Sequence, residues 1–175
     1  MTSPIWRVAL LTGVATVAAC TPTLNWRDVR PAGSGVQLLL PCKPDTQERA
    51  VALAGSPVRL TLTVCRAADQ VWALAHADVV DPARVGPALA ALQAGAAANL
   101  GASAATWAPQ PVPGATPQPG SGRARLQGQR PDGQAAQMQV LVFARGTQVF
   151  QASVVGPALA EEAVDAYFKS IRFPP

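Results

Sequence analysis

The sequence has one histidine, three cysteines and two lysines, and only 14% of its 175 residues are charged. A zinc centre needs Cys and His ligands at close spacing, and so few thiols with a single imidazole do not supply them. Neither a metal nor another cofactor is expected. Nucleic-acid recognition needs basic residues clustered with aromatics on one face. The formal charge is +4, but the arginines are scattered. Only Arg123, Arg125 and Arg130 come near one another, as on a solvated strand face beside a loop, so no nucleic-acid partner is expected. No serine stands in a Gly-x-Ser-x-Gly elbow, and no glycine-rich phosphate loop is present. The longest apolar stretch, Val8 to Ala19, is broken by Thr12, Gly13 and Thr16. It is too short for a bilayer span, which takes about 20 residues.

That stretch follows Arg7 and ends in Val17-Ala18-Ala19-Cys20, the composition of a cleaved export signal. It resembles a bacterial lipoprotein signal, whose four-residue lipobox ends in the cysteine that receives diacylglycerol and, after cleavage, an N-acyl chain. Val17, Ala18 and Ala19 fill the lipobox and Cys20 is the lipidation site. Cleavage there removes Arg7 and lowers the formal charge by one. Each buried methylene adds about 0.8 kcal/mol, so three chains hold a protein at a membrane without release. The resemblance implies a membrane partner through Cys20. Thr21 stands where an aspartate would favour inner-membrane retention, which points to the periplasmic face of the outer membrane.

Residues 1–19 are thus read as signal, 20–35 as lipidated N-terminus and tether, and 36–175 as a single domain. Prolines and glycines without helical period mark 21–35 as the tether, with Trp26 available to dock. Strands are predicted at Val36 to Pro41, Arg49 to Leu53, Val58 to Arg66 and Val71 to Val80. Leu60, Leu62 and Val64 alternate with Arg59, Thr61, Thr63 and Cys65, the pattern of a half-buried antiparallel strand. Asp81-Pro82 predicts a helix start. Val85, Leu89, Leu92, Ala96 and Leu100 give that helix its apolar stripe, Gly86-Pro87 delays its first turn, and Gly101 closes it. A further strand is predicted at Ser103 to Ala108. Five prolines and three glycines in 109–122 predict an irregular, mobile surface loop. Strands follow at Gly122 to Gln129, Gln137 to Arg145 and Thr147 to Val155. A closing helix is expected from Ala158 to Lys169, with Glu161 and Glu162 in its first turn and Lys169 in its last. The fold class is α+β: strands, helix, strands, helix, as one antiparallel sheet with the two helices covering a face.

Several fragments in order resemble the small bacterial envelope proteins of PsbP-like fold, including the DcrB-type lipoproteins. They are Val36 to Pro41 with Lys43-Pro44, Trp72 to Asp78, Phe143 to Ala152 and Ala166 to Phe173. Asn25-Trp26-Arg27 and Pro41-Cys42-Lys43-Pro44 resemble a subgroup of these lipoproteins. The resemblance implies a PsbP-like sandwich and brings no enzymatic activity with it. The Pro-rich insertion departs from the family's compact pattern.

Cys42 and Cys65 remain as an even pair, for which a disulfide is the default in an oxidising compartment. The closed loop of about 24 residues is worth roughly 3 kcal/mol on the chain-entropy model. If the first three strands form a meander, strands one and three lie about 9.6 Å apart, beyond the roughly 7 Å limit for bridged Cα atoms. The bond then needs adjacent strands or a Cys42 that curls past the strand end; the alternative is two free thiols. The related subgroup carries both cysteines, which favours the bond. His76 shares a strand face with Asp78, and Ser153 or Cys65 would have to supply a nucleophile. Two functions are expected of such a chain: a non-enzymatic accessory domain with an envelope protein partner, or a module holding a small apolar ligand. Trp72, His76 and Phe150 are the candidate contacts, and an apolar cavity lined by Trp72, Leu74 and Phe150 would favour the second.

Overall fold

Two three-stranded meanders build the main sheet of this computed structural model, which describes residues 24–102, 105–130 and 132–175. The signal, the lipobox and Cys20 lie outside the described residues. The first meander is β3 (Asp45–Leu53), β4 (Ser56–Ala67) and β5 (Gln70–Asp78). Its hairpins turn on Ala54-Gly55 and Ala68-Asp69, all four at positive φ, the hand that matches strand twist in two-residue turns. The second is β6 (Gly122–Gln129), β7 (Ala135–Arg145) and β8 (Gln148–Gly156). All pairings are antiparallel and the order is β3-β4-β5-β8-β7-β6, so β5 meets β8 at the centre.

Helix α1 (Val85–Asn99) follows the first meander and α2 (Glu161–Ser170) the second. The strand-helix-strand-helix order is as expected, but the helices lie on opposite faces rather than covering one. Trp72, Leu74, Leu141, Phe143, Phe150 and Val154 meet Val164, Tyr167 and Phe168 of α2 and Ile171 just beyond it. Ala77, Val140, Val142 and Val149 meet Val85, Ala88, Leu89 and Ala96 of α1. The reason is in the central strands: Val140 to Ala144 is an unbroken apolar run, which requires cover on both faces.

A second, two-stranded sheet pairs β1 (Arg27–Val29) with β2 (Leu38–Leu40). Residues 24–35 are therefore largely part of the fold and not tether. Asn25 N–H donates to the Pro41 carbonyl at 2.8 Å, and Trp26 packs edge-on against Trp72. β2 belongs outside the main sheet, which removes the spacing obstacle to the disulfide. Cys42 lies three residues before Asp45, and Asp45 pairs with Val64, so Cys42 reaches Cys65 with Cα atoms 5.8 Å apart and the bond is formed.

The expected strand at 103–108 is absent from the described part of that segment: Ala108 makes one bridge to Arg123, and residues 103 and 104 lie outside the described residues. The 109–122 segment is irregular, as its prolines require, but it is fastened rather than free. Thr116 N–H donates to the Ala144 carbonyl, Phe173 N–H donates to that of Pro113, and Val112 is buried. A Cβ at Gly114 would stand 2.8 Å from Phe173 Cβ, so only glycine passes there.

Asp81 caps the turn at Pro82–Arg84, its side chain accepting from Ala83 N–H, and α1 proper begins beyond it. The residue before this cap, Val80, is 79% exposed with φ of 64°, a region that costs a β-branched residue about 1–2 kcal/mol. Val80→Asn should raise stability by about 0.5–1 kcal/mol in chemical denaturation, since nothing packs on the valine and asparagine tolerates this region. Replacing Cys42 and Cys65 together by alanine should cost roughly 3 kcal/mol by the same measurement, and iodoacetamide should label neither cysteine in the unreduced native protein.

Candidate functional site

Trp72 and Phe150 are both fully buried. Trp72 lies on β5 opposite Cys65 and Val154, edge-on to Trp26 and Tyr167 with centroids 5.8 and 5.6 Å away. Phe150 stacks on Phe143 at 4.9 Å and on His76 at 5.9 Å, with Phe173 edge-on. The space beside Trp72, Leu74 and Phe150 is not a ligand cavity but is filled by these rings and by Tyr167, whose hydroxyl donates to the Ala73 carbonyl at 2.7 Å. Burial raises the Tyr167 phenol far above its ordinary value, so it stays a donor. Trp72 and Phe150 thus offer no surface to a ligand or partner.

His76 is 6% exposed, between Thr61 of β4 and Phe150 of β8. Its Nδ1 is buried without a hydrogen-bond partner among the described residues, as is the Thr63 hydroxyl on the same face. Burial lowers its pKa, and the nearby Glu48 carboxylate opposes this more weakly. The carboxylate of Asp78 accepts from Val80 N–H and is committed to the strand end. Neither proposed nucleophile is at hand. Cys65 is bonded to Cys42, and Ser153 pairs with Ala73, whose side chains point to the opposite face from His76. The imidazole is a neutral stacking partner in the wall of the core.

Arg123 and Arg125 do pair up, but with α2. Arg123 lies 4.3 Å above the Phe168 ring, bonds Asp165 at 2.8 Å and donates to the buried Gln139. Arg125 holds Glu161 with two bonds. Each bond favours the ionised acid, so hydrogen bonding from Arg125 lowers the Glu161 pKa and from Arg123 that of Asp165. These groups clip the helix to the β6 side of the sheet. Arg130 stands apart at the far end of β6.

Of the concave regions among the described residues, two have a markedly apolar lining or a large volume. Beneath the Pro-rich strap, against Val112, Ala115 and Phe143, lies a cavity of about 250 Å³, below the size range of small-molecule sites. A larger cleft of about 940 Å³ opens at the sheet end where β4 meets β5. Val71, Leu100, Met138 and Val155 make it apolar, and Arg66 and Arg130 line it too. Reading the sequence missed this cleft because it joins a hairpin, a helix end and strand ends drawn from positions as distant as Arg66 and Pro157. The only local signal was two arginines at strand ends. Among the described residues no three Cys, His, Asp or Glu side chains gather as a metal site.

Because the His76 pKa is depressed in the folded state, the unfolded chain binds the extra proton first. Its contribution to stability is full above the ordinary value of 6.5 and is lost as pH falls from there through the folded-state pKa. Urea melts should show this loss, with a limiting slope of about 1.4 kcal/mol per pH unit. His76→Phe should flatten the curve there and leave the later loss below the carboxylate range from Glu161 and Asp165 in place.

Compared with known proteins, the chain matches no family model, no curated protein and no solved structure.

Proposed function

We propose that the protein is a non-enzymatic, lipid-anchored component of a bacterial cell envelope, a PsbP-like sandwich held by Cys20 on the periplasmic face of the outer membrane, where it serves as an accessory domain for an envelope protein partner. The observation that carries the reading is the Cys42–Cys65 disulfide. A buried cysteine joined across two segments belongs to an oxidising compartment, and the sequence ahead of it carries the export signal and lipobox that lead there. The two strand blocks, each followed by a helix, are the order that a PsbP-like sandwich implies. No helix among the described residues is long and apolar enough to cross a membrane. An accessory role fits a domain whose one histidine is sealed against Phe150 and whose aromatic residues are spent on the core. The rival reading, a small apolar ligand between sheet and helices, loses its pocket to Trp72, Tyr167 and Phe150.

The intact mass of protein extracted from membranes should equal that of residues 20–175 with diacylglycerol and one N-acyl chain, less two hydrogens for the disulfide. Cys20→Ala should release the protein to the soluble envelope fraction; an unacylated mass for the wild type would remove the anchor. Crosslinking a C-terminally tagged chain in living cells should recover one recurrent envelope protein, and recovery of the chain alone would end the accessory reading.

A further inference from the structure

The fold begins close to the lipid site. Asn25 is already bonded to Pro41 and Trp26 packed on Trp72, so only five residue steps separate Cys20 from the domain. At full extension they span no more than about 18 Å. Pro41 adjoins Cys42, Cys42 is bonded to Cys65, and beyond Cys65 come Arg66 and the β4–β5 turn, which line the cleft. β4 has 12 residues, about 40 Å of strand, so the Ala54-Gly55 end is out of reach of such a leash. An anchored Cys20 holds the cleft end of the sheet near the bilayer.

The cleft is amphiphilic. Its apolar residues include Val71 and Val155, both partly exposed, and the same face continues to the partly exposed Leu62 and Val64. Arg66 and Arg130 line it against a single acid, Asp69, and neither arginine is among the ion pairs of the described residues. Arg66 is on β4 and Arg130 directly follows β6, strands four places apart in the sheet order, about 19 Å at 4.8 Å per strand, with the apolar floor between them. That layout does not close on one small anion. It suits a molecule whose chain lies on the floor and whose phosphate reaches a wall.

We propose that this cleft binds an anionic phospholipid of the membrane, its acyl chain along Val71, Met138 and Val155 and its headgroup phosphate at one of the two arginine walls. The placement of the cleft rests on the reading of Cys20 as the anchor; the binding chemistry does not. Met138 and Met1 are the only methionines, so a methyl-labelled methionine reports from the cleft. In the Cys20→Ser chain, which carries no acyl group of its own, dihexanoyl phosphatidylglycerol below its micellar concentration should shift the Met138 methyl resonance saturably. The Arg66→Gln/Arg130→Gln variant, with an unchanged melting temperature, should bind about tenfold more weakly, as loss of a charged hydrogen bond predicts. No shift, an equal response to dihexanoyl phosphatidylcholine, an equal response in the double variant, or the same shift from inorganic phosphate alone would each overturn the proposal. An unacylated mass for the wild-type protein overturns the anchor reading instead and leaves this titration standing.

Discussion

The pairing of β5 with β8 is the contact on which the rest of the molecule depends. It joins two meanders that are each local in sequence through a register running from Val71↔Val155 to Asp78↔Gln148. Without it each meander has a bare edge and no continuous face to bury. With it, β5 becomes an inner strand whose residues Trp72 to Ala77 are all buried. Such a long-range junction closes a large loop before it is repaid by burial, so it is the slow step that the folding of this topology implies.

Once the sheet exists, its two faces are finished in different ways. The α2 face is aromatic: Trp72, Phe143, Phe150, Tyr167, Phe168 and Phe173 interlock at ring distances between 4.9 and 6.1 Å. Rings of this size fill space around one another, each burying on the order of 150–250 Å². The α1 face is built of alanine, valine and leucine, and α1 is itself rich in alanine and glycine. A small-residue helix is narrow, which leaves Leu62 and Val64 of β4 and Val71 of β5 partly exposed, and the cleft opens at its C-terminal end.

What could be read from the sequence was whatever is governed by near neighbours. The alternation of Leu60, Leu62 and Val64 marks β4, the Asp81-Pro82 pair marks the turn into α1, and Gly101, at φ of 57°, closes that helix. β6 runs over the residues expected of it. The strand expected at Val36 to Pro41 holds β2, but β1 was illegible because three residues carry no period, and so was the small separate sheet that the two strands form. The placing of the helices on opposite faces depends on which strands become inner ones, a property of the β5–β8 junction and not of any window. The Pro-rich segment could be recognised as irregular, yet its attachment is made by Phe173, some sixty residues away from Pro113. For the candidate site the loss was greater. Trp72, His76 and Phe150 were singled out for their chemistry, and burial assigns them to packing, while Arg66 and Arg130 acquire meaning only when the fold sets them along one cleft.

The strap and the end of α1 have a further effect at the margin of the sheet. Ala108 pairs with Arg123 at one end of β6, and Gln129 donates to the Leu100 carbonyl at the other, so that outer edge is occupied at both ends. At the opposite margin β3 is exposed over most of its length and pairs only with β4 among the described residues. Open-ended stacking of sheets needs two free edges on every molecule. With one edge obstructed, strand-to-strand association through β3 uses up the available edge on both molecules at once, and growth stops at a pair.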